Sequence, residues 1–125
     1  MKIKLIILTM LLVITAATKA QSTDSTRTPE GRAAALTEKM KTQLSLTDDQ
    51  LPQVQSINLK YAQKNQQIWT SSDGRFAKFK SLKSSQKEKN KEMKAVLDKD
   101  QYKKYETMNE EMKEKARQEY KQGKE

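Results

Sequence analysis

Apolar residues recur along most of this chain at intervals of three and four, the spacing of one face of a helix rather than the alternation of a strand. Ala33, Leu36, Met40 and Leu44 form the first stripe. Thr28 precedes it as a helix cap, with Pro29 in the first helical position and Glu30 next, so a first and shorter helix is expected from Pro29 to about Leu44. A second stripe passes through Val54, Ile57, Tyr61 and Ile68 and ends at Trp69. Ser71-Ser72-Asp73-Gly74-Arg75 is the one convincing break in mid-chain, and a connection so short favours antiparallel neighbours. The third helix is expected from about Arg75 to Leu97, with Phe76, Phe79 and Leu82 at one end and Met93, Val96 and Leu97 at the other. Between them Lys83 to Lys91 carry no apolar side chain, so the middle of this helix does not read as conventional core. A fourth stripe, Tyr105, Met108, Met112, Ala116 and Tyr120, runs until Gly123.

Two of these helices open with the same device. In Leu46-Thr47-Asp48-Asp49-Gln50-Leu51, Thr47 and Gln50 are spaced as a capping box, with Leu46 and Leu51 placed to staple the helix start and two carboxylates on the positive end of its dipole. Pro52 lies just inside the first turn, where it removes a bond to Asp48 and should kink the entry slightly. Leu97-Asp98-Lys99-Asp100-Gln101-Tyr102 repeats the pattern 51 residues later, Asp98 standing where Thr47 stood and Tyr102 where Leu51 stood. As structure, both copies read as helix starters and corner packing.

Residues 1–20 follow a different rule. Lys2 and Lys4 precede an apolar run from Leu5 to Ile14, and the segment ends in small residues at Ala20. This is the pattern of a cleaved secretory signal, with Ala20 as the expected cut and Ala17 as the alternative. The uncharged stretch from Leu5 to Thr18 falls short of the ~20 residues that span a bilayer, so no stable anchor is expected after cleavage. The polar residues 21–28 then form a tether, residues 29–122 form the helical domain, and the expected location is the periplasm.

Cleavage would remove Lys2, Lys4 and Lys19, leaving 22 cations against 16 carboxylates, a net charge of +6. Leu, Ile, Val and Phe then number only 13 of 105 residues, low enough that disorder needs an argument against it. The argument is that Ala, Glu, Lys, Leu and Arg supply 46 of the 105, near the share found in long helices and coiled coils, while Gly and Pro hardly interrupt the stripes. Helices of some 22 residues are each about 33 Å long. So few apolar residues cannot sheathe them on all sides, which favours a flat layer and the pairing of two chains.

The chain has no Cys and no His. That removes disulfides, thiolate zinc and iron–sulfur sites, thiol nucleophiles and imidazole-based hydrolases, so neither an enzyme nor a metal or other cofactor is expected. Nucleic acid fits the positive charge but not export, the interspersed Glu or the lack of an aromatic-basic motif.

The two helix-start motifs, in an exported, basic, all-helical chain, resemble the LTxxQ repeats of the Spy and CpxP family of periplasmic chaperone-like and stress-response proteins. Leu46, Thr47 and Gln50 match the first repeat, and Leu97, Asp98 and Gln101 match the second with Asp in place of Thr. The resemblance covers residues from about 33 to 120. It implies a thin, curved, four-helix protomer that dimerises into a cradle and holds unfolded proteins on its concave side without ATP. Candidate contacts for such clients are Trp69, Arg75, Phe76, Phe79, Lys80, Lys83 and Lys87, where cations and aromatics fall at helical spacing. The bland alternatives are that the aromatics are core and that the Lys-rich stretch is a solvated face. A regulatory or structural adaptor docking on one envelope partner is the competing function.

Overall fold

The computed structural model describes residues 27–124; the expected signal peptide and residues 21–26 of the tether lie outside the described residues. Four helices follow in order: α1 (Pro29–Leu44), α2 (Gln50–Thr70), α3 (Arg75–Val96) and α4 (Lys99–Gln122), with no strand among the described residues. The Thr28 hydroxyl accepts from the N–H of Gly31 at 3.0 Å, which sets the start of α1. Its end is set by Ser45, in the left-handed conformation at φ 52°, ψ 53°. The N–H groups of Ser45 and Leu46 both turn back to the carbonyl of Lys41. A left-handed residue other than Gly costs roughly 1–2 kcal/mol, and those two bonds to an otherwise orphaned carbonyl offset it. At the other side of this turn Pro52 acts as expected on the ladder. Leu51 bonds to Thr47 at 3.0 Å, the rung to Asp48 has no donor, and regular helix begins at Gln50.

The first three helices pair in order of sequence. Arg32 of α1 reaches Gln66 of α2, while Thr37 further along α1 meets Asn58 earlier in α2, so the two run in opposite directions. Lys60 and Lys64 of α2 meet Glu92 and Glu88 of α3 in the same reversed order. These ion pairs are exposed and contribute little to stability; the order of pairing is what they report. The fourth helix contributes buried residues only from its first turns, Gln101, Tyr105 and Met108, and every residue from Lys113 to Lys124 is exposed. The core is correspondingly placed at the end of the molecule where the α1–α2 and α3–α4 turns meet. It comprises Met40, Leu44, Val54, Met93, Leu97, Tyr105 and Met108, with Leu36, Leu46, Ile57, Val96, Tyr102 and Met112 packed around it.

Away from that end the inward line of the bundle turns polar. Thr37, Asn58, Ser85 and Lys89 are all buried. The Thr37 hydroxyl donates to Ala33 O at 2.8 Å and accepts from Asn58 Nδ2 at 3.0 Å, while Ser85 Oγ donates to Asn65 Oδ1 at 2.7 Å. The Lys-rich middle of α3 is therefore not uniformly a solvated face. Ser85 and Lys89 continue inward at the four-residue spacing of Met93 and Leu97, and Lys83 and Lys87 point to solvent.

Stability should follow this division. Met40→Ala, at a fully buried position, is expected to cost about 2–5 kcal/mol, whereas Tyr120→Ala, on the exposed end of α4, should change it by less than about 0.5 kcal/mol. Urea unfolding of the two variants is the measurement.

Candidate functional site

Both helix-start motifs form their boxes. The N–H of Gln50 donates to Thr47 Oγ1 at 3.2 Å and the N–H of Thr47 to Gln50 Oε1 at 3.1 Å. At α4 the N–H of Gln101 donates to Asp98 Oδ1 at 2.8 Å and the N–H of Asp98 to Gln101 Oε1 at 3.0 Å. Around them Leu97 is in the core, Leu46 and Tyr102 pack against it, and Leu51 is half-buried.

The two boxes then join. Gln50 Nε2 donates to Gln101 Oε1 at 2.7 Å, and Gln101 Nε2 returns the bond to Gln50 Oε1 at 2.9 Å. The remaining amide hydrogens cross to the last residue of the helix leading into the opposite corner: Gln50 to Val96 O at 3.1 Å, Gln101 to Leu44 O at 3.3 Å. Each amide thus uses two donors and two acceptor sites, and no polar atom of the pair is left over. Four helix ends are tied by two side chains: the starts of α2 and α4 and the ends of α1 and α3. The motifs are architecture, and the two amides have no hydrogen-bonding group left to offer a ligand.

The client candidates divide differently. Phe76 and Phe79 are 80% and 64% exposed, so neither is core. At ~100° per residue Phe76, Phe79, Lys80, Lys83 and Lys87 lie on one side of α3, opposite the line through Ser85, Lys89 and Met93. Arg75 is exposed at the start of the same helix. Trp69, 61% exposed, borders a cleft with Arg32, Asn58 and Lys89 that none of these candidates line, and its carbonyl accepts from Lys78 Nζ at 2.9 Å.

Electrostatics single out one residue that sequence reasoning passed over. Lys89 is 9% exposed, has no hydrogen bond or ion pair among the described residues, and burial alone pushes its ammonium down to about 8. Its signal was present in the chain as the spacing of Ser85, Lys89, Met93 and Leu97, masked by the lysines on either side. Burial likewise pushes the hydroxyls of Tyr61, Tyr102 and Tyr105 up.

The fold and site define an all-helical protein whose two helix corners are locked by a glutamine pair and whose third helix presents aromatics and cations outward. The profile of the family described as Domain of unknown function (DUF4890) matches residues 16–105, and the chain belongs to that family. The matched stretch takes in both motifs and ends at Tyr105, the first buried residue beyond the second box. No curated protein and no solved structure matches the chain. Among the described residues no helix is long and apolar enough to cross a membrane, and no group of three or more acidic side chains is placed to hold a metal ion.

The shared amides make the two motifs energetically coupled. Gln50→Ala and Gln101→Ala should each cost more than the ~1 kcal/mol expected for Thr47→Ala or Asp98→Ala, because each leaves the opposite amide and a helix-end carbonyl without partners. The double variant should then cost about 1–2 kcal/mol less than the sum of the singles, as read from denaturant midpoints.

Lys89 should make stability depend on pH. Its folded value lies below its unfolded value, so the cost of burying the charge is fully present below pH ~8 and is relieved as pH rises toward 10, where the unfolded chain still holds the proton. A shift of that size corresponds to roughly 3 kcal/mol. Above ~10 the buried tyrosines, which ionise more readily unfolded, reverse the trend. Lys89→Met should be more stable at pH 7 and should lose the rise between pH 8 and 10 in thermal melts.

Proposed function

We propose that the protein is an exported, ATP-independent, chaperone-like holder of unfolded or aggregation-prone envelope proteins. The observation that carries this reading is the outer face of α3. Two large aromatic side chains stand exposed within one helical turn, beside Lys80, Lys83 and Lys87, on a helix whose opposite face is already packed. Exposed apolar residues scattered singly need no explanation, but neighbouring ones beside like charge make a surface that attracts and then holds. Cations raise the encounter rate with acidic, partly unfolded chains, and screening limits their reach to about 8 Å at physiological salt. Aromatic contact needs no fixed partner geometry, which suits a binder of many sequences.

The remaining parts of the reading follow from the sequence pattern. A cleaved signal delivers the chain to the periplasm, and the helices form a thin layer that two copies complete as a cradle. Ala116 and Tyr120, which continue the α4 stripe into its exposed half, offer apolar surface for that pairing. The protein is proposed to bind rather than to catalyse, consistent with a chain that has neither Cys nor His.

The paired change Phe76→Ala/Phe79→Ala tests the reading. At exposed positions it should leave stability within about 1 kcal/mol of the parent, yet suppression of aggregation should fall for several unrelated clients. Association with clients should also slow about tenfold or more between low and high salt. A folded double variant with full activity removes these aromatics from the site. One saturable partner in place of many clients identifies an adaptor instead of a chaperone.

A further inference from the structure

The cleft that Trp69 borders holds a largely buried lysine to which the fold gives no partner. It lies between α1, α2 and α3, has a volume of about 470 Å³, and none of the outward residues of α3 line it. Lys89 enters it from α3, 9% exposed and without a hydrogen bond or ion pair among the described residues. Asn58 borders it from α2, 1% exposed; its Oδ1 has no donor and lies sealed within the wall, out of reach of a ligand. Burying most of an unpaired lysine beside a cleft is costly, and an anion that met its ammonium there would offset that cost.

The lining specifies the ligand. Lys89 supplies the one buried charge. Arg32 stands beside it with Nη1 on Arg27 O at 2.7 Å and Nη2 on Gln66 Oε1 at 2.8 Å, and no carboxylate lines the cleft. One buried cation matches a monoanion better than a dianionic phosphate, which would bring more charge out of water than the cleft neutralises. Leu36, Ala62 and Trp69 call for an apolar group beyond the anion. We propose that this cleft binds a carboxylate that carries an apolar group, with Lys89 on the carboxylate and the apolar group against Leu36 and Trp69. The assignment does not rest on the chaperone reading, which concerns a different surface.

Trp69, the single tryptophan of the chain, is a built-in reporter. N-acetyl-leucyl-leucine titrated into the full chain should change its fluorescence saturably, and Lys89→Met, which removes a buried charge and so keeps the fold, should weaken binding about tenfold or more. The same peptide with an amidated end should bind at least tenfold more weakly, and decanoate, which has the charge and a tail but no peptide group, tells a fatty acid from a peptide end as the source of the carboxylate. No saturable change with either the free peptide or decanoate overturns the proposal. Equal binding of the amidated peptide overturns the role of the carboxylate, undiminished binding to Lys89→Met overturns the role of that lysine, and the tighter of the two ligands identifies the source of the carboxylate.

Discussion

Two glutamine side chains determine how the four helices meet. Helix ends carry backbone groups that no turn of their own helix can satisfy, and in a chain this poor in apolar residues those groups cannot be covered by bulk. Gln50 and Gln101 meet the demand at four ends at once, since each amide completes its own box, pairs with the other and takes the last carbonyl of the helix that leads into the opposite corner. The placement of α4 depends on this most. Its buried side chains are confined to Gln101, Tyr105 and Met108, so the amide pair and these two residues, with half-buried Tyr102 and Met112 beside them, set its angle against α1 and α3. The core gathers where the amides are, because that is where, among the described residues, all four helices and both turns face the same space.

Much of this was legible in the chain. The four helices lie where the stripes put them, Thr28 and Asp98 cap as their neighbours imply, and the Thr47–Gln50 pair forms although Pro52 delays the regular helix to Gln50. What escaped was nonlocal. A Gln three residues after a cap has one visible duty, and nothing in either motif shows that the two amides complement each other across 51 residues. The buried row of Thr37, Asn58, Ser85 and Lys89 escaped for a related reason: polar residues at inward positions look like solvated ones until a facing helix supplies their partners. Trp69 was grouped with Phe76 and Phe79 by proximity along the chain, and what the chain did not show is that it also borders a cleft with Arg32 and Lys89 that neither Phe lines.

Stability and surface chemistry occupy opposite ends of the molecule. From Phe79 to Leu97 the helix rises about 27 Å, enough to set the exposed aromatics well apart from the packed corner. Substitutions on the outer face of α3 therefore leave the residues that hold the fold untouched, and the surface is free to vary while the scaffold stays above its stability threshold. The polar middle separates the two regions and concentrates its unsatisfied groups at Lys89 and Asn58.

The glutamine pair has a consequence for the conditions the protein can endure. Side-chain amides neither gain nor lose a proton in water, and a bond between neutral dipoles is not screened by dissolved ions as a pair of charges is. The exposed ion pairs between α2 and α3 will loosen in brine or in acid, while the joint between the corners keeps its partners in both. In the periplasm, the location proposed above, acidity and salinity follow whatever surrounds the cell, and a joint built from amides is indifferent to that weather.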